Sequence, residues 1–197
     1  MANISQKWLN ENMLEILSLF PSDCSEGFHG SYIAKKLKLP QRTISRNLNK
    51  LCNLNLLEYV REGRNKIYFI NKNFPQLPAI FNLIESYKSV KFLLKNKEIS
   101  LMLNELSKNN KILIFGSYAK GLNKKTSDID ILLLTGKSKK VSDVLSKYNF
   151  KTHIQYSNPS EFEKKLKSKS SLAIEIMENH IIISGFEYFI KVFMNYE

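Results

Sequence analysis

The chain has 197 residues, which is enough for two small domains, and 43% of them are hydrophobic, which excludes a wholly disordered protein. No apolar run approaches the roughly 20 residues that a membrane span requires, and the first residues lack the pattern of a signal peptide. The two cysteines, Cys24 and Cys52, lack the spacing of metal ligands and suit a reducing compartment. We therefore expect a cytoplasmic protein that has no membrane partner.

The charge of the chain favours a polyanionic partner. Its formal net charge is +12, which is typical of proteins that bind nucleic acids or nucleotides. The lysines are spread along the chain, but all four arginines fall between residues 42 and 64. Arginine recognises phosphates and guanine edges with a planar, bidentate group. This segment is therefore the place where the sequence predicts a contact with nucleic acid.

The first third of the chain predicts three helices. Apolar residues recur at helical spacing over residues 4–20, and residues 21–30 are turn-like. Ser31 can cap a short helix that runs through Leu37, and a third helix follows over residues 41–53. The third helix would bury one apolar face, made of Ile44, Leu48 and Leu51.

A hairpin follows the three helices. The segments Leu57–Arg61 and Lys66–Ile70 alternate like strands around the turn Glu62-Gly63-Arg64-Asn65. This order of elements resembles the winged helix-turn-helix domain (MarR/ArsR-like) over residues 4–72. The resemblance implies that the third helix enters the major groove of duplex DNA and that the hairpin touches the flanking backbone.

Seven residues would then contact DNA. Arg42 and Arg46 lie four residues apart and therefore on one face of the third helix, while Arg61 and Arg64 belong to the hairpin. The alternative is that the polar side of the third helix is only a solvated face. The predicted DNA-binding residues are Gln41, Arg42, Thr43, Ser45, Arg46, Arg61 and Arg64.

A boundary follows the hairpin. The sequence Phe74-Pro75-Gln76-Leu77-Pro78 breaks the pattern, and a helix over residues 79–95 comes next, as a linker or a dimerisation helix. A further helix over residues 98–108 leads into a strand at 111–115. We therefore predict three parts, a winged helix-turn-helix domain over 1–74, a linker helix over 75–97 and a second domain over 98–197.

The most informative residues lie just beyond that strand. Gly116-Ser117 ends the first apolar strand, and Asp128-Ile129-Asp130 begins a second one. Residues i and i+2 of a strand share a face, so we expect the two aspartates to project side by side. Paired carboxylates beside a buried strand are costly unless a cation holds them, and Mg²⁺ that carries nucleotide phosphates is a natural partner. Gly116 has no side chain and would let a phosphate approach the backbone closely.

Residues 112–134 closely resemble the nucleotidyltransferase signature of the DNA polymerase beta superfamily. That signature is a hydrophobic strand, Gly-Ser, a spacer, Asp-x-Asp and a second hydrophobic strand. Ala119, Gly121 and Ser127 fit the minimal nucleotidyltransferase branch of the superfamily. The resemblance implies Mg²⁺ or Mn²⁺ as the cofactor and an NTP as substrate or ligand. It assigns catalysis and metal binding to Asp128 and Asp130, and nucleotide binding to Gly116, Ser117, Lys120 and Ser127. Lys124 and Lys125 lie in the same loop, where they either neutralise phosphate charge or are solvated.

One element of the family pattern is missing. Active members usually carry a third carboxylate on a later strand, which here should be residues 151–156, and this segment contains no acid. His153 and Gln155 share one face of that strand, which we expect to face the site, and His153 is either a base or an ordinary polar residue. Glu161 and Glu163 belong to the next helix.

The remaining elements complete the second domain. Residues 139–148, 159–167 and 171–178 predict helices, His180–Ser184 predicts a short strand, and Phe186–Met194 predicts a terminal helix. Four apolar residues of the terminal helix share one face and would join the core, namely Phe186, Phe189, Ile190 and Phe193. The predicted fold class is α+β, with a winged helix-turn-helix followed by a nucleotidyltransferase-like α/β domain on a small mixed sheet.

The sequence supports two functions. The first is Mg²⁺-dependent transfer of a nucleoside monophosphate from an NTP to an acceptor that the sequence does not identify. The second is a DNA-binding transcriptional regulator whose transferase-like domain is a weakly active or inactive nucleotide sensor. The predicted partners are duplex DNA and a nucleotide and, by analogy with the families, a small helical protein and a second copy of the chain. An RNA-directed transferase is a third alternative.

Overall fold

The computed structural model describes residues 9–108, 110–124, 126–134 and 139–195, and the chain divides into two compact units, Met1–Ile84 and Glu85–Glu197. The division falls within the long helix that was predicted as a linker. The fold class is α+β, as predicted. No helix in the described residues combines the length and the apolar character that a membrane crossing requires.

Three helices open the first unit, α1 (Glu11–Leu17), α2 (Gly30–Leu37) and α3 (Gln41–Asn53). Helix α1 is shorter than the predicted 4–20, whose start at residues 4–8 lies outside the described residues. It begins at Glu11 because the Asn10 side chain accepts a hydrogen bond from the Met13 amide at 3.0 Å. The prediction that Ser31 caps α2 is wrong, because the helix begins one residue earlier and His29 holds the cap position without a side-chain bond.

A three-stranded antiparallel sheet completes the first unit. Strands β2 (Leu57–Glu62) and β3 (Asn65–Ile70) confirm the predicted hairpin, with Gly63 and Arg64 at its turn. The third strand, β1 (Phe28–His29), pairs with β3 and lies in a segment that was predicted as a turn. Its two residues are too few for a recognisable alternation, so the strand depends on packing, as in the stacking of Phe28 on Tyr32.

Helix α3 has the predicted limits and the predicted buried face. Asn47 is also buried there, which its polarity did not suggest. Its amide nitrogen donates to the Thr43 carbonyl at 2.8 Å, and its amide oxygen accepts from Asn10 at 3.2 Å. These bonds satisfy a buried polar group and connect α3 to the start of α1.

Two helices follow, α4 (Leu77–Lys95) and α5 (Lys97–Ser107), close to their predicted positions. The division between the two units falls at Ile84/Glu85, inside α4. In the first unit, Leu77, Ile80 and Phe81 of α4 are buried.

The second unit has a four-stranded mixed sheet in the order β6-β5-β4-β7. Strand β4 pairs antiparallel with β5 and with β7, and β5 pairs parallel with β6, which confirms the predicted small mixed sheet. The elements are β4 (Lys111–Phe115), α6 (Gly116–Ala119), β5 (Ile129–Leu134), α7 (Lys139–Ser146), β6 (Thr152–Ser157), α8 (Pro159–Lys167), α9 (Ser171–Glu178), β7 (Ile181–Ser184) and α10 (Phe186–Met194).

The sheet of the second unit is buried along its centre. Ile112 and Ile114 of β4 and Ile131 of β5 pack in one apolar cluster with α5. A second group of aromatic rings packs edge to face. The ring centroids of Phe162 of α8 and Phe189 of α10 lie 6.0 Å apart. Three of the four predicted core residues of α10 are buried, whereas Phe186 is half-buried.

Candidate functional site

The end of β4 and the start of β5 bring Gly116 against Asp130. Phe115 pairs with Asp130 in the antiparallel register, so the next residue, Gly116, lies beside the aspartate side chain. Gly116 has a φ of +67°, and a Cβ atom there would overlap the Asp130 Oδ2 atom. The glycine is therefore required twice, by its backbone conformation and by the close approach of the carboxylate.

Asp130 lines an open cavity of about 310 Å³ in the second unit. His153 and Gln155 of β6 line the same cavity, so they do share the strand face that was predicted to face the site. Glu175 of α9 also lines the cavity, and this position was not predicted from the sequence. The cavity is lined by Phe115, Asp130, His153, Gln155, Ser171, Leu172 and Glu175.

His153 is the direct partner of Asp130. The parallel register of β5 and β6 places the two residues opposite each other, and His153 Nδ1 lies 3.2 Å from Asp130 Oδ1. An ionised carboxylate can only accept a hydrogen bond, so the contact requires the proton on Nδ1. In this tautomer the ring nitrogen Nε2 carries a lone pair. The side chains are 66% and 26% exposed, so both are accessible to a ligand.

Lys120 and Glu175 form the second polar contact at the site. The Lys120 ammonium donates to Glu175 Oε1 at 2.7 Å. This hydrogen bond raises the pKa of Lys120 above its ordinary value, and the negative charges of Glu178 and Asp130 act in the same direction. The Lys120 ammonium, which follows α6, is thus held by the Glu175 carboxylate of α9.

Sequence reasoning missed Glu175. Helical spacing places Leu172 and Glu175 on one face of α9, but only the packed fold reveals that this face borders the cavity. The acids that were considered instead, Glu161 and Glu163 of α8, are not among the residues that line the cavity. Glu163 accepts a hydrogen bond from the Tyr188 hydroxyl at 3.1 Å.

The other predicted residues of the motif lie in the loop between β4 and β5. Strand β5 begins at Ile129, so Asp128 precedes the strand, and it is exposed. The Ser127 hydroxyl accepts a hydrogen bond from the Lys124 amide at 2.9 Å, which gives it a role in the turn. Ser117 is half-buried at the start of α6, and its carbonyl accepts from the Leu122 amide at 3.0 Å. Lys125 lies outside the described residues.

The residues that were predicted to contact DNA lie in the first unit. Six of the seven are exposed, while Thr43 is half-buried. A cleft of about 330 Å³ is lined by Gln41 and Ser45 of α3 together with Arg64 at the hairpin turn and Lys66 of β3. The structure therefore brings the start of α3 and the tip of the hairpin together around one polar cleft.

A comparison with protein families matches residues 96–196 to the nucleotidyltransferase domain, and this range contains the Gly-Ser segment, both aspartates and the cavity. Neither the curated proteins nor the solved structures gave a match. The matched range covers just over half of the chain, so this protein belongs to the nucleotidyltransferase domain family.

Proposed function

We propose that the second unit transfers a nucleoside monophosphate from an NTP to an acceptor hydroxyl, and that the transfer depends on Mg²⁺ or Mn²⁺. The observation that carries this proposal is the close approach of Gly116 to Asp130, which lines the cavity, with Lys120 bound to Glu175 of the same cavity. A glycine corner, an accessible carboxylate and a cation are the groups that a metal-bound triphosphate needs.

The residues present fit a divalent cation whose remaining ligands are phosphate oxygens of the nucleotide. Asp130 is accessible, and its carboxylate contacts His153 alone among the hydrogen bonds and ion pairs found in the described residues. Those residues contain no group of three metal-binding side chains. Mg²⁺ is commonly held by one or two carboxylates together with substrate phosphates, so Asp128 and Asp130 would suffice once a nucleotide is bound.

The chemistry is an in-line displacement. The acceptor oxygen forms a bond to the α-phosphorus of the NTP, and the bond to the departing pyrophosphate breaks. When bound, the cation supplies Lewis-acid neutralisation of the phosphate oxygens. The Lys120 ammonium adds a positive charge at the phosphates, and the lone pair on His153 Nε2 can take the proton of the acceptor hydroxyl. This assignment gives His153 the role of the base in a site that lacks the third strand carboxylate.

Labelled nucleotides test the proposal. The four NTPs, each labelled on the α-phosphate, are incubated with the protein, Mg²⁺ or Mn²⁺ and a panel of protein and RNA acceptors. We expect label transfer by the native protein and none by Asp130→Asn. The matched control is Asp143→Asn, which removes an exposed aspartate of α7 outside the cavity and should leave transfer intact. Absence of label transfer by the native protein with every NTP and acceptor would refute the proposal.

We further propose that the first unit is a winged helix-turn-helix that binds duplex DNA. The order of three helices and a hairpin supports this proposal, and so do the exposed arginines of α3 and the hairpin. The cleft that Gln41, Ser45 and Arg64 share supports it as well, because the start of α3 and the tip of the hairpin would then meet DNA together.

If nucleotide binds to the second unit without transfer, the regulator with a nucleotide sensor becomes the better description.

Arginine substitutions test the DNA proposal. The variant Arg42→Ala/Arg46→Ala should weaken binding to a specific duplex by about 1–3 kcal/mol for each bidentate base contact that is lost. The matched control, Lys38→Ala/Lys72→Ala, removes the same charge from exposed positions outside α3 and the hairpin. Equal losses in the two variants, or binding that does not respond to salt, would contradict the proposal. Structured RNA in the same assay tests the RNA alternative.

A further inference from the structure

The ion pair between Lys120 and Glu175 joins two segments that lie 55 residues apart in the chain. Lys120 is the C-terminal cap of α6, the helix that begins with Gly116 and Ser117, and Glu175 lies in the middle of α9. Their charged atoms are 2.7 Å apart, and the side chains are 35% and 37% exposed. Both side chains are therefore accessible to a ligand, and Glu175 is the partner that lines the cavity.

A pair this exposed contributes little to folding stability, because water and salt screen it and two long side chains lose freedom when it forms. Its position is more informative than its strength. Glu175 lines the same cavity as Asp130, and the Lys120 ammonium is close enough to Asp130 and Glu178 to respond to both charges. The ammonium thus lies within electrostatic range of the acid that we assign to the metal.

We propose that Glu175 is a positioning residue that holds the Lys120 ammonium at the rim of the cavity, ready for the phosphates of the NTP. This inference rests on the proposed function of the second unit. A free lysine side chain samples many rotamers, and fixing it before the ligand arrives removes that cost from binding. An ammonium has three N–H donors, so Lys120 can keep Glu175 as a partner while it donates to a phosphate oxygen.

The proposal separates Glu175 from a residue that serves only the fold. Loss of the pair should leave the unfolding transition nearly unchanged and should weaken nucleotide binding. It also separates positioning from simple charge, because Glu175 is negative and its removal alone would favour a polyanion. Weaker binding after its loss therefore requires that holding Lys120 in place outweighs the repulsion.

The test measures the Kd of a Mg²⁺-bound, non-hydrolysable NTP analogue together with the urea-unfolding midpoint. Glu175→Ala should weaken binding by about three- to tenfold, the range expected when one preorganised charged contact is lost. Glu175→Asp, which retains the carboxylate, should recover part of the affinity. Glu178→Ala is the matched control on the same helix, because Glu178 influences Lys120 by charge alone, whereas Glu175 accepts the hydrogen bond of the ammonium. With a transferable substrate, the loss should appear in KM more than in kcat.

A double variant makes the test specific. Lys120→Ala should weaken binding at least as much as Glu175→Ala, and the combination should be no worse than Lys120→Ala, because Glu175 acts through the lysine. Unchanged or tighter binding in Glu175→Ala, with a native protein that binds nucleotide, overturns the positioning role and leaves the proposed function standing. A native protein that binds no nucleotide refutes the proposed function and this inference together.

Discussion

The second unit contains two pairs of a histidine and a carboxylate in different surroundings. His153 and Asp130 lie at the open cavity, with side chains 66% and 26% exposed. His180 and Glu85 lie in the interior, with side chains 6% and 3% exposed. The separations between the paired atoms are similar, 3.2 Å and 3.5 Å. Burial rather than residue type therefore separates the pair that can meet a ligand from the pair that can only serve the fold.

The interior pair belongs to a small charge cluster. Burial alone would raise the pKa of Glu85, but the nearby charges of Lys88 and His180 outweigh it and lower the pKa to about 2. Lys88 donates to Glu85 Oε1 at 2.8 Å, and His180 Nδ1 donates to the Ile176 carbonyl at 2.7 Å. Glu85 Oε2 and His180 Nε2 are buried without a hydrogen-bond partner, so a proton on Nε2 would satisfy both atoms.

Among the substitutions that distinguish the buried pair from the exposed pair, Glu85→Ala should cause the largest loss in the free energy of unfolding. It leaves Lys88 and the buried His180 without their carboxylate, and removal of one partner of a buried ion pair costs about 3–5 kcal/mol. Urea unfolding should therefore report a large loss in the free energy of unfolding. The matched control is Glu105→Ala on α5, which removes an exposed ion pair with Lys147. This substitution should change the free energy of unfolding little. Equal effects of the two substitutions would contradict the contrast drawn between buried and exposed pairs.

The pH dependence of stability should reveal the contribution of Glu85 without any substitution. The folded-state pKa of Glu85 lies near 2, below its ordinary value of 4.5, so the folded protein favours the ionised form. Its contribution is present above pH 4.5 and is lost as the pH falls from 4.5 towards 2. The full difference corresponds to about 3–4 kcal/mol at about 1.4 kcal/mol for each pKa unit. The free energy of unfolding of the native protein should approach that of Glu85→Gln across this range, and a constant gap would contradict the assignment.

A substitution at Gly116 should disturb the exposed pair without touching Glu85. In Gly116→Ala the new methyl group meets Asp130 Oδ2, and a φ of +67° disfavours any L side chain by about 1–2 kcal/mol. We expect a moderate loss of stability together with a loss of nucleotide binding, because Asp130 must move. Gly63→Ala at the hairpin turn is the matched control, since it has a φ of +59° and no atom within 4 Å of the added carbon. It should lose stability and keep nucleotide binding.

The contrast also explains how far the sequence could be interpreted. Helix α3 has the predicted limits, and each hairpin strand is one residue longer at the turn than predicted, because apolar spacing and turn residues are local signals. The shared face of His153 and Gln155 was predicted because side chains two residues apart in a strand lie on the same side of the sheet. The partners of His153 and Lys120 could not be predicted, since they depend on the β5–β6 register and on the packing of α9. The burial of Glu85 was also beyond prediction, because a lone glutamate on an amphipathic helix is usually solvated.

The smallest effect on stability should come from His153→Ala. The side chain is 66% exposed, and its loss leaves Asp130 accessible to water, so the free energy of unfolding should change by less than about 0.5 kcal/mol. The same substitution at the interior pair, His180→Ala, should cost far more, because His180 packs 4.6 Å from the ring of Phe193 and its loss leaves Glu85 buried with one fewer partner. Measured under one set of conditions, the two variants isolate burial as the variable. A large loss in His153→Ala would mean that the cavity pair supports the fold, and the assignment of Asp130 to a ligand would lose its basis.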